Sequence, residues 1–130
     1  VEKLQAYEKV PIYRKARDIL RDAHVLTSRM NKAYKYSLGG TIRDVALQLA
    51  EAVFLAYEER DNLPVKLHYI GEIKRLTQRI LAAYRIANEV GEISRDHYSG
   101  QVAAIVHIIR QCRGWHAQTA AQVAEEAKAA

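Results

Sequence analysis

Between Lys66 and Gly91 the chain reads KLHYIGEIKRLTQRILAAYRIANEVG, with apolar residues at Tyr69, Ile73, Leu76, Ile80, Ala83, Ala87 and Val90. The steps alternate between four and three, which is the heptad seam of one long amphipathic helix. Such a helix is about 39 Å long at 1.5 Å per residue. It can bury its seam only against other helices of similar length, so this stretch limits the fold more than any other.

The rest of the chain supplies those partners. Pro11 fits the first turn of a helix, where its missing N–H is no loss. Ile12, Ala16, Ile19, Ala23, Leu26, Met30 and Ala33 repeat the same rhythm and predict a first helix over 11–36. Gly39-Gly40 predicts its C-terminal cap through positive φ. A phosphate cradle is the functional alternative for that pair, but the preceding strand and further glycines it needs are missing. Thr41-x-x-Asp44 reads as a capping box opening a second helix over 41–61. Asp61-Asn62-Leu63-Pro64 is a turn, and the third helix covers 64–91 with Gly91 after its end. Ser94 caps a fourth helix over 94–115, with Asp96 in its first turn and Tyr98, Val102, Ile105, Ile109 and Cys112 as its seam. Residues 118–130 are an Ala-rich tail that frays or docks on a partner. With only two prolines, six glycines and no strand signal, the fold class is all-α. The architecture is an antiparallel up-down four-helix bundle over residues 1–117.

The second helix carries more apolar surface than one bundle core uses. Its seam is Ile42, Ala46, Leu49, Val53 and Ala56. A second row, Leu47, Ala50, Phe54 and Tyr57, lies about 100° around the axis. Val45 and Leu55 widen it further. Two readings are open: the most buried helix of a monomer, or a helix whose second row is a subunit interface. The second is favoured, and it makes the chain a homo-oligomer.

The net charge is +5 with a pI near 9.4, and the charge is unevenly distributed. Residues 12–36 carry seven Lys or Arg against two Asp, residues 63–91 five against two Glu, and residues 41–62 two Arg against five acids. On the first helix Arg14, Arg17, Arg21, Lys32 and Lys35 share the face opposite the seam. On the third, Lys74, Arg75 and Arg85 do so, with Arg79 at the flank. These faces suit an anionic partner such as RNA or DNA held through its backbone. The plainer alternative is a solvated surface partly neutralised by Asp18, Asp22 and Glu72.

Nothing in the pattern calls for catalysis, a metal or a cofactor. The five histidines are scattered, no Glu-x-x-His pair exists, and Cys112-Arg-Gly-Trp-His116 is not a haem attachment motif. Cys112 sits on a seam, as a small buried hydrophobe does. The tyrosines read as core or interface anchors, with stacking on bases the alternative for Tyr69, Tyr84 and Tyr98. A lone cysteine fits a reducing, cytoplasmic setting, the first ten residues are too charged for a secretory leader, and no apolar run is long enough to span a membrane.

Three segments carry a family likeness: YKYSLGGTIRDVALQLAEAVFLAYEER, HYIGEIKRLTQRILAAYRIANEVGEISRDHYSG and the close IIRQCRGW. Over roughly residues 10–116 the chain resembles the accessory variability determinants of diversity-generating retroelements, which group with the four-helix-bundle proteins encoded in ribosomal-RNA intervening sequences. The resemblance implies a homopentameric barrel with a basic surface and no catalysis of its own. It also implies binding to the element's reverse transcriptase and to RNA or DNA, in support of adenine-directed mutagenic copying. By likeness of position Lys74, Arg75 and Arg79 are the first basic residues to consider.

Overall fold

Pro11 opens the first helix, α1, Pro11–Ser28, in a computed structural model that describes residues 9–130. Most of the stretch read as too charged for a leader, residues 1–8, lies outside the described residues. The α1 stripe is buried as its rhythm predicts, from Ile12 through Ala16, Ile19 and Ala23 to Leu26. The helix then stops, eight residues short of the predicted 36. Thr27 and Ser28 turn their hydroxyls back onto the carbonyls of Ala23 and Val25, both at 2.7 Å, a pattern that weakens a helix end. Asn31 leaves helical geometry at ψ 147°. Its backbone N–H and its side-chain amide donate to the two carboxylate oxygens of Glu92, at 2.8 and 3.0 Å. A contact sixty-one residues away in sequence therefore sets this break. Met30 still reaches the core, whereas Ala33 is exposed on a short second helix, α2, Lys32–Lys35.

The third helix, α3, Leu38–Glu58, starts and ends about three residues before the predicted 41–61. Gly39-Gly40 is not a cap with positive φ; both glycines lie in the first turn of α3. Gly39 is there for closeness. A Cβ at that position would stand 3.1 Å from Met30 Sδ and 3.3 Å from Thr27 Cβ. Nor do Thr41 and Asp44 form a capping box, since Ser37 is the N-cap residue and no side chain caps it. Arg43 secures the corner instead, donating to Thr27 Oγ1 at 2.9 Å and to the Lys35 carbonyl at 3.3 Å.

The fourth helix, α4, Leu63–Glu89, matches its prediction closely. Asn62 caps it by accepting from the Val65 N–H at 3.4 Å, and Pro64 sits in the first turn. Gly91 has φ +81° and forms the predicted end. Gly91 N–H donates to the Asn88 carbonyl and Glu92 N–H to the Ala87 carbonyl, the two bonds of a Schellman motif. Val90, placed on the seam by the rhythm, lies beyond the last turn and is 44% exposed. Tyr69 is half-buried, and Ile70 takes the core position beside it.

The fifth helix, α5, Arg95–Ala129, corrects the prediction most. Ser94 caps it as expected, accepting from the His97 N–H at 3.2 Å. The Ala-rich segment 118–130 is no separate tail, because α5 continues through 129. Ile105 and Cys112 are buried as predicted, but the other seam positions fall to Gln101 and Ile108, whereas Tyr98, Val102 and Ile109 are only half-buried. Gln101 takes a core position because its amide donates to Asp22 Oδ2 on α1 at 3.1 Å.

Among the described residues the chain is all-helical, with four long helices and no strand. Packing runs α1 on α3, α3 on α4, α4 on α5 and α5 back on α1, the ring order of a helical bundle with short connections. α1 and α4 are diagonal in that ring. One continuous core of Ile, Leu, Val and Ala fills it. α5, at 35 residues, is longer than α4, at 27. Cys112 meets Ile70 and Trp115 meets Lys66, so the turns after Thr119, its last buried residue, run past the start of α4. No described helix is long and apolar enough to cross a membrane.

Candidate functional site

The outward flank of α3 carries the surplus apolar surface. Ile42, Ala46, Leu49, Val53 and Ala56 are buried, and Val45 joins them in the core instead of widening the surface. Of the second row, Leu47 is 49% and Phe54 38% exposed, while Ala50 and Tyr57 are half-buried. Tyr13 of α1 lies against Phe54 with ring centroids 6.5 Å apart. The Arg60 guanidinium covers the Tyr57 ring at 4.5 Å. Leu55 faces the other way, into a shallow groove of about 190 Å³ between α3 and α4 that Glu51 and Glu72 also line. The flank is thus apolar with an acidic margin.

Of the basic residues singled out in the sequence, Arg14, Arg17 and Arg21 on α1 and Lys74, Arg75, Arg79 and Arg85 on α4 are exposed. Lys32 and Lys35 do not continue the α1 face, because they lie on the separate helix α2, where Lys32 is exposed and Lys35 half-buried. Because α1 and α4 are diagonal, the two sets point away from each other within one chain. Several have carboxylates close by. Arg75 bonds Glu72 at 2.9 Å and Arg85 bonds Glu89 at 3.1 Å, while Arg21 lies 3.5 Å from Asp18 and 3.8 Å from Asp22. The hydrogen bond from Arg75, aided by its charge, holds the Glu72 carboxyl below the usual carboxylate range. These are exposed pairs within single helices, so they add little to stability and weaken with salt.

Lys74 differs from its neighbours because it faces a cavity. Between α4 and α5 lies a groove of about 510 Å³. Ile70, Ile109 and Cys112 give it apolar walls, and Lys74, Arg113 and His116 surround them. Gly71 opens the α4 side, where an added Cβ would meet nothing within 4 Å. Cys112 donates weakly to the Ile70 carbonyl at 3.6 Å, and burial pushes its thiol up, with the Lys74 charge opposing. Reading the sequence helix by helix missed Arg113 and His116. Their signal was there: both lie within four positions of Cys112, which the fourth helix was expected to turn inward.

At the head of the groove Lys66 is buried, its ammonium 5.1 Å from the Trp115 ring centroid. Burial lowers its pKa, Arg60 lowers it further, and Asp61 opposes. Deeper in the bundle, the Tyr84 hydroxyl and Gln101 Oε1 are buried without a hydrogen-bond partner among the described residues. Burial pushes the Tyr84 phenol well above its ordinary value, and the charge of Asp22 adds to this. Tyr84 is therefore a core residue and not a base-stacking platform. All five histidines are exposed, and no cluster of three or more His, Cys, Asp or Glu side chains gathers among the described residues.

No protein-family model matches the chain, and no curated protein does either.

Proposed function

We propose that the protein is a non-catalytic, oligomeric accessory factor of a diversity-generating retroelement. In this reading it is cytoplasmic, docks the reverse transcriptase, and holds RNA or DNA electrostatically during mutagenic copying. The reading rests on the resemblance carried by residues 10–116 and needs no metal or cofactor. The exposed apolar flank of α3 supports it most. Leu47 and Phe54 face outward beside a core that is already complete, which is what a subunit interface requires. Copies joined along that flank, five in a closed ring by resemblance, would bring together basic faces that α1 and α4 hold apart in one chain.

Salt-dependent binding tests the proposal. A labelled RNA or DNA oligomer binds at about 50 mM salt, and its affinity falls steeply as salt rises, because contacts to phosphate release counterions. Absence of binding at the lower salt contradicts the proposal. One observation favours a second reading, a protein-interaction module that ignores nucleic acid. Arg21, Arg75 and Arg85 already have carboxylates within 4 Å on their own helices. Oligomerisation without oligonucleotide binding is the outcome that would select it.

A further inference from the structure

We infer that the groove between α4 and α5 is a binding site for one nucleoside phosphate unit. The phosphate is held by Lys74, Arg113 and His116, and the base lies on Ile70, Ile109 and Cys112. Capture of a nucleic-acid strand here rests on the reading above; capture of a free nucleotide stands without it.

The groove has two chemistries in one cavity. Two cationic side chains and an imidazole surround it, and no carboxylate is among the residues that line it. Its walls are aliphatic apart from the Cys112 thiol and the Thr77 hydroxyl, which already donates to the Lys74 carbonyl at 2.7 Å. A bare inorganic anion would leave those walls in water, and an apolar ligand would leave the cations unused. A planar ring bearing a phosphate uses both, and the Gln78 amide at the margin offers a donor and an acceptor to a base edge. The volume, about 510 Å³, lies in the ordinary range for small-molecule pockets. Gly71 fits the same account. A glycine inside a helix is unfavourable unless its missing side chain leaves room for something, and here it leaves the groove open. The basic side chains on the outer face of α4 lack this setting, since Arg75 is turned to Glu72 and Arg85 to Glu89.

The chain carries its own probe, because its single cysteine lines this groove. The experiment titrates the full chain with adenosine monophosphate and, separately, with a short single-stranded oligonucleotide at about 50 mM salt, where phosphate contacts are strongest. Affinity is read by calorimetry, and ligand protection by the rate at which a maleimide alkylates Cys112. Both ligands should bind and slow alkylation. The variant Gly71→Leu should fill the groove and weaken nucleotide binding by about ten-fold or more, equivalent to ~1.4 kcal/mol. Its melting temperature should hold or rise, since nothing lies within 4 Å of the new Cβ. Gly100→Leu, also unobstructed but not among the lining residues, should leave affinity unchanged.

If the oligonucleotide binds the wild type and Gly71→Leu equally well without protecting Cys112, the groove assignment fails and the nucleic-acid reading survives. If the oligonucleotide does not bind but adenosine monophosphate does, with loss in Gly71→Leu, the groove assignment stands and the nucleic-acid reading fails. If neither ligand binds, both fail.

Discussion

The two sides of α4 have opposite chemistry. Toward α5, the larger groove is surrounded by Lys74, Arg113 and His116; toward α3, the smaller one holds Glu51 and Glu72 beside Leu55. The row that α4 buries in the core, Ile73, Leu76, Ile80 and Ala83, is common to both sides. The seam sets which residues pack, and it says nothing about what the flanks carry. A bundle therefore uses one rhythm on every helix and still carries an acidic, apolar groove on one side of a helix and a basic one on the other.

The largest expected effect lies in the shared seam. Ile80→Ala should lower unfolding stability by about 2–5 kcal/mol in denaturant, because a fully buried side chain leaves a cavity. Leu47→Ser on the α3 flank should cost the isolated chain no more than about 0.5 kcal/mol. Equal losses would mean that the two positions are equally buried in solution.

Next in size is the corner before α3. Gly39→Val should destabilise by about 1–3 kcal/mol, since its new atoms press on Met30 and Thr27. Gly40→Ala, with only the end of Arg43 near its Cβ, should stabilise by about 0.5–1 kcal/mol. Thermal melts of the two variants, moving in opposite directions, would separate close packing from capping as the role of this glycine pair.

The flank comparison itself is tested by charge. Arg75→Glu with Arg79→Glu should weaken oligonucleotide binding by about ten-fold, or ~1.4 kcal/mol, with stability changing by no more than about 0.5 kcal/mol. Glu51→Lys, in the acidic groove between α3 and α4, should not weaken binding. Anisotropy titrations at fixed salt would show which side carries the interaction.

Tyr84→Phe should stabilise by about 1 kcal/mol, because it removes a buried hydroxyl that has no partner. The gain should grow with pH. Burial raises the folded phenol's pKa, so above the unfolded value of about 10 the unfolded chain loses a proton that the folded chain keeps, and wild-type stability falls. The phenylalanine variant lacks that loss. Denaturant curves at neutral pH and above pH 10 would measure it.

How far the sequence could be read depended on whether local or distant contacts decide. The span of α4 was legible, since Asn62, Pro64 and Gly91 act within one turn of their own positions and the seam is buried from Ile73 to Ala87 between them. The break after Ser28 was not, because the carboxylate that holds Asn31 belongs to Glu92. Gly39-Gly40 misled for a related reason: glycine serves both positive φ and close approach, and only the neighbour Met30 shows which applies. On α5 Ile105 and Cys112 were placed correctly, but Val102 stood for Gln101, whose hydrogen bond to Asp22 puts a polar residue in the core, and Ile109 stood for Ile108. Among the surfaces, the exposure of Leu47 and Phe54 and of the α1 and α4 basic residues followed from their helical positions alone. The groove lies across two helices, so Arg113 and His116 acquire meaning only once α4 and α5 are side by side.

The mass of the full chain in solution, by light scattering, tests most directly the claim that the α3 flank joins copies. The expected result is a defined multiple of 14.8 kDa that falls to a folded monomer when Leu47→Glu and Phe54→Glu are combined. A wild-type chain at 14.8 kDa, or an assembly indifferent to that pair of substitutions, would contradict it.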